Sequence, residues 1–138
     1  MILSQTGEYA LRAVLYLAAH GADRAVQVSE IARALGLPQN YLSKTLHQLA
    51  RAGVLMSTRG KSGGFRLAVA PDRLALHRVV APFGDVEQRQ RCLLGGTQCS
   101  DRHACAAHAR WKEVAERMSA FFRETTVADL AHGATLPV

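Results

Sequence analysis

The sequence predicts a mainly α-helical fold with a small β-wing: a winged helix-turn-helix followed by a long C-terminal dimerisation helix. Three observations predict it. Val28 to about Ala52 reads as two helices around a tight turn at Gly36. Two short strand-like runs follow at once, separated by a turn with three glycines, and read as a β-ribbon. A strongly helical stretch with an apolar stripe then runs from roughly Cys105 to Glu124.

The composition agrees with that fold. The chain has 138 residues, 49% of them hydrophobic, enough for one domain with one ordinary core. Aromatics make up only 6%, so the core rests on Leu, Val and Ala, a mix that favours helices. Seventeen Lys and Arg face eleven Asp and Glu, a net charge of +6, and a small basic domain often carries a polyanion-binding face. The start has no basic region before an apolar stretch, and the longest apolar run, Ala13 to Ala19, is interrupted by Tyr16 and too short for a bilayer. The expectation is a cytoplasmic protein without membrane contact. Three cysteines cannot all pair within one chain, and the cytosol reduces disulfides, so their clustering points to metal or redox chemistry. There is no Cys-x-x-Cys pair, no phosphate-binding glycine loop and no convincing catalytic carboxylate pair, which argues against an enzyme.

Taken in order, residues 8–20 read as a helix through Ala10, Ala13, Val14, Leu17 and Ala18, with Leu11 and Leu15 on a second face. Ser29 is the expected N-cap of the next helix and Gly36 its stop. Pro38 suits the first turn of the following helix, which buries Leu42, Leu46 and Leu49 and ends at Gly53. Residues 54–58 and 65–69 are the expected strands, with Arg59-Gly60-Lys61-Ser62-Gly63-Gly64 between them. Asp72 to Phe83 reads as helical, with Leu76, Val79 and Val80 apolar. On the long helix Trp111, Val114, Ala115, Met118 and Phe122 form one stripe, either a dimer seam or intrachain core. Thr126-Val127-Ala128-Asp129 looks like a capping box with Asp in place of Glu or Gln. The regions are 1–84 for the winged helix, 85–104 for a cysteine loop and 105–138 for the dimerisation helix and C-terminal segment, all within one compact domain.

The buried leucines of the second helix leave Gln39, Asn40, Ser43, Lys44 and His47 outward. Gln and Asn can bond adenine edges, and Ser and Lys suit bases or phosphates. In a helix-turn-helix this end meets the base edges of double-stranded DNA. No acidic residue occurs between Gly36 and Asp72, which a merely solvated helix face would not require. Arg59, Lys61, Ser62 and Arg66 place wing chemistry on phosphates or in a minor groove. One winged helix covers few base pairs, so a homodimer on a pseudo-palindromic operator is expected.

Cys92, Cys99 and Cys105 are spaced C-x6-C-x5-C, and His108 follows Cys105 by three residues. Three thiolates with one further ligand can hold an iron–sulfur cluster. The same set could hold structural zinc, although zinc sites more often use close pairs. A metal-free thiol switch is the third reading. If the long helix has begun by Cys105, Cys105 and His108 share a face. His103 and Asp101 are rivals for the fourth position, and Glu8 is a further candidate.

These residues together resemble the family of iron–sulfur winged-helix transcriptional regulators, which includes the iron–sulfur cluster regulator IscR and the nitric-oxide-sensing repressor NsrR. The matching pieces are Tyr9-Ala10-Leu11-Arg12-Ala13, Tyr41-Leu42-Ser43-Lys44, Ala52-Gly53-Val54-Leu55 and Thr126-Val127-Ala128-Asp129-Leu130. Most specific is the wing, Arg59 to Leu67. The resemblance implies a homodimer with crossing long helices and one 2Fe–2S or 4Fe–4S cluster per chain. It implies Cys92, Cys99 and Cys105 as ligands, and DNA affinity that changes with cluster loss or nitrosylation. His108 resembles the histidine ligand of the cluster-homeostasis branch, although the first cysteine gap here is one residue longer. Glu8 sits where the nitric-oxide branch takes a carboxylate from its partner. A third branch needs a histidine where this chain has Arg12, which cannot ligate. His108 ranks first and Glu8 second. The implied function is a repressor sensing nitric oxide, redox state or iron–sulfur status.

Overall fold

The computed structural model describes residues 3–84, 93–94 and 101–131. Helices α1 (Gln5–His20), α2 (Val28–Leu35) and α3 (Gln39–Arg51) come first. Strands β1 (Leu55–Thr58) and β2 (Gly64–Leu67) form an antiparallel ribbon, followed by α4 (Leu76–Val80), α5 (His108–Glu124) and α6 (Val127–Ala131). The chain is mainly helical with one small sheet among the described residues, as its periodicities predict.

Helix α1 begins three residues before the apolar pattern does. Ser4 caps it, its Oγ accepting from the Gly7 amide at 3.0 Å and donating to the Phe83 carbonyl at 3.1 Å. A polar first turn carries no apolar period, so the pattern starts late. Helix α2 is capped by Gln27 rather than Ser29, without a side-chain bond, and Ser29 lies inside its first turn. Gly36 stops α2 in the left-handed conformation at φ 66°, its amide donating to the Ala32 carbonyl. Pro38 occupies the cap position of α3, one residue before the helix proper. Leu42, Leu46 and Leu49 are fully buried, beside Ile31 and Leu35 of α2.

The wing is stitched to the core by a third extended segment. Val26 and Phe65 exchange both backbone hydrogen bonds at 2.8 Å, and β2 pairs with β1 in the register Ser57 to Phe65. Gly64 has φ 141°, and a Cβ there would collide with the Val26 carbonyl; one at Gly63 would collide with the carbonyl of Thr58. The glycine pair of the turn is therefore required by close backbone approach.

The helical run predicted over 72–83 breaks into a 3-10 turn at Pro71–Arg73, α4, and a 3-10 turn at Ala81–Phe83. Leu74 is extended, because the chain beyond α5 returns to pair with it: Leu76 N donates to Thr125 O at 3.0 Å and Val127 N to Leu74 O at 2.8 Å. Leu76, Val79 and Val80 are buried, as the apolar pattern implies. The capping box closes reciprocally, Thr126 N to Asp129 Oδ2 at 2.8 Å and Asp129 N to Thr126 Oγ1 at 3.2 Å. Phe122 and Val127 join the core of Ala10, Val14 and Leu17.

Helix α5 starts at His108, so Cys105 precedes it and the two do not share a helix face. Of its apolar stripe only Phe122 is buried; Trp111, Ala115 and Met118 are half-buried and Val114 is 47% exposed. Phe121, beside the stripe, is 50% exposed. Among the described residues no helix is long and apolar enough to cross a membrane.

Candidate functional site

The exposed face of α3 carries Gln39, Asn40, Lys44 and His47, with Ser43 half-buried among them. It exists because Leu42, Thr45, Leu46 and Leu49 turn inward at helical spacing, and Thr45 spends its hydroxyl on the Tyr41 carbonyl at 3.1 Å. Ser43, Lys44, His47, Gln48 and Arg51 line a shallow cleft of about 390 Å³. His47 is fixed: its Nδ1 lies 2.7 Å from the Ser43 carbonyl, and its ring meets Phe65 edge-on at 5.2 Å.

Beside it the wing presents Arg59, Lys61 and Ser62 exposed and Arg66 half-buried. The structure thus brings all nine expected DNA-facing residues to α3 and the adjoining ribbon. The stretch from Leu37 to Pro71 holds Lys44, Arg51, Arg59, Lys61 and Arg66 and no carboxylate, so its own charge is positive.

Periodicity could not reveal the residues that brace this face. Gln27 Nε2 donates to the Lys61 carbonyl at 3.3 Å, tying the wing tip to the cap of α2. Arg24 forks onto both Glu30 oxygens at 3.0 and 2.9 Å, and the Tyr16 hydroxyl donates to Glu30 Oε2 at 3.0 Å. Arg24 first, then Tyr16, hold the Glu30 carboxyl below the usual carboxylate range. Burial, then Glu30, raises the Tyr16 phenol. Tyr41, 40% exposed beside Asn40, bonds the Thr6 hydroxyl and meets the Tyr9 ring edge-on at 5.6 Å. Tyr41 stands in one of the matching motifs, but its partners on α1 leave no local signal.

Of the cysteine loop, Cys92 and Cys99 lie outside the described residues. Cys105 is a half-buried free thiol on the turn before α5, and its carbonyl accepts the His108 amide at 3.0 Å. His108 is only 8% exposed, and its Nε2 lies 2.8 Å from Asp101 Oδ1. Lys112 Nζ reaches both Asp101 oxygens at 3.2 Å. The bond to His108, then Lys112, holds the Asp101 carboxyl below its ordinary range. His103 and Glu8 are exposed. The donor types fit an iron–sulfur group: cysteine thiolates are its usual ligands, and a histidine follows Cys105 by three residues. The fit has one condition, since ligation through His108 Nε2 would displace Asp101.

The chain matches the Rrf2 family, described as iron-dependent transcriptional regulators, over residues 3–133. The chain belongs to the Rrf2 family. Among its relatives is a helix-turn-helix-type transcriptional regulator of Aquifex aeolicus, 39% identical over 132 residues, covering 94% of this chain and 91% of that protein. The regulator IscR of Yersinia pseudotuberculosis is 30% identical over 132 residues, covering 96% and 80%. In solved structures this Rrf2 chain is similar to CymR, the global cysteine regulator of Bacillus subtilis, with a TM-score of 0.80, 22% identity and coverage of 96% and 98%. That likeness shows the winged-helix fold. The Rrf2 chain is a transcriptional regulator and not an enzyme. Regulators of this family bind DNA and typically act as dimers.

Proposed function

We propose that this Rrf2 chain acts in the cytoplasm as a homodimeric repressor on a pseudo-palindromic operator, and that Cys92, Cys99 and Cys105 hold one iron–sulfur cluster per chain. Gln39, Asn40, Ser43, Lys44 and His47 are its groove-facing residues, and Arg59, Lys61, Ser62 and Arg66 hold phosphates or a minor groove. Held by those thiolates, a cluster would supply iron open to nitric oxide or an oxidant, so that its occupancy would report nitrosative, redox or iron–sulfur status. His108 is the fourth ligand, with Glu8 the alternative.

One observation supports the coupling to DNA above the others. The turn carrying Cys105 leads directly into α5, whose far end is stitched to the winged helix through Leu74, Thr125 and Val127. Holding Cys105 therefore sets one end of a lever whose other end is fixed to the reading domain. A changed tilt of α5 moves the two recognition helices off the spacing of about one helical turn that half-sites demand.

The Asp101–His108 contact favours a second reading, a metal-free thiol switch in which His108 is structural; structural zinc on the three cysteines and His108 is the remaining alternative. Operator affinity separates coupling from no coupling. Replacing Cys92, Cys99 and Cys105 together by Ala is expected to change affinity about 5–150-fold relative to the loaded protein. Wild-type affinity on every operator would refute a sensing role for the loop.

A further inference from the structure

We infer that His47 reads one base of each operator half-site as a hydrogen-bond acceptor, selecting the exocyclic amine of adenine or cytosine against guanine. The inference rests on α3 being the helix that enters the groove, as proposed above.

His47 lies one turn beyond Ser43 on the exposed face of α3, in line with Asn40 and Lys44. Its Nδ1 is 2.7 Å from the Ser43 carbonyl. A carbonyl only accepts, so Nδ1 must carry the proton. The ring also packs edge-on against Phe65, with planes at 87°. Phe65 cannot yield readily, being 4% exposed and bonded through both backbone groups to Val26. Helix and wing together hold the imidazole in one orientation and one tautomer.

In the neutral ring the remaining nitrogen, Nε2, is then an acceptor. No hydrogen bond among the described residues occupies it. In the major groove an acceptor meets a partner in the adenine N6 or cytosine N4 amine, whereas guanine offers only the acceptors O6 and N7. Lys44 and Arg51, which flank His47 in the same cleft, carry donors alone and suit phosphate or guanine. His47 adds the complementary specificity.

The test is competition binding of this chain to operators randomised at each position, at about pH 8. Wild type is expected to prefer adenine or cytosine at one position per half-site by about 5–150-fold. His47→Gln, which keeps an acceptor, should retain that choice; His47→Ala should erase it; His47→Lys should move it toward guanine. A uniform loss across all sequences with His47→Ala would overturn the inference and make His47 a phosphate or packing residue. So would nitrogen NMR of the free protein showing the proton on Nε2. Asn40→Ala is the control. If it relaxes specificity at another position while His47→Ala is silent, only this inference fails. If both are silent, the assignment of α3 fails with it.

Discussion

At Gly64 a single hydrogen decides whether the wing forms. A Cβ there would run into the Val26 carbonyl, and φ 141° is a conformation that side chains rarely adopt. Gly64→Ala is expected to cost about 1–3 kcal/mol in denaturant unfolding and to weaken operator binding with it. An unchanged midpoint would mean that the Val26–Phe65 stitch is dispensable. At Glu30 the effect is electrostatic. Arg24 and then Tyr16 lower its carboxyl in the folded state. A lowered carboxylate stabilises the fold above its unfolded value, about 4.3, and that contribution is lost as pH falls through the folded value. Glu30→Gln should therefore flatten the acid limb of a melting-temperature profile below about pH 5. A limb as steep as wild type would show that the Arg24–Glu30–Tyr16 contact carries no folding linkage.

Among the elements, the wing has the most specific expectation. Arg59→Ala should weaken binding to all DNA sequences alike and lower the salt slope by about one unit, because one phosphate contact releases one counterion less. Wild-type binding at moderate salt would remove Arg59 from the interface. The elements legible in the sequence are those whose causes are local. Gly36 stops α2 with its own φ, the leucines of α3 repeat at helical spacing, the glycines of the wing mark its reversal, and Thr126 and Asp129 cap each other three residues apart. The misplaced boundaries have distant causes. Ser4 starts α1 early with a partner at Phe83, and Leu74 interrupts the helical run because Val127 pairs with it. The site divides in the same way. The outward face of α3 follows from periodicity, but the tautomer of His47 depends on its Ser43 bond and its ring on the wing's Phe65. The Asp101–His108 bond escapes any pattern, because Asp101 sits on a 3-10 turn and Cys105 ends short of α5.

In the whole molecule, α5 carries more apolar surface than the rest of the described residues cover. Val114 and Phe121 are about half exposed, while the helix is held near its C-terminal end by Phe122 and the Leu74–Val127 stitch and at its start by the buried His108. The double change Val114→Glu and Phe121→Glu is expected to give a folded monomer in sedimentation, with operator affinity reduced at least tenfold, about 1.4 kcal/mol. A dimer of unchanged affinity would place the interface elsewhere. Dimerisation through α5 would put the Cys105 turns of both chains next to the helix that forms the seam, where the proposed cluster's occupancy would act on the spacing of the two α3 helices. The measurement that bears most directly on this is iron, acid-labile sulfide and zinc per chain in protein purified without oxygen, with its visible spectrum. Iron with matching sulfide, and colour bleached by nitric oxide or air, is the predicted result. Zinc without sulfide, or no metal even after attempted reconstitution, would contradict the cluster and leave the cysteine loop a structural clip or a thiol switch on a DNA-binding regulator.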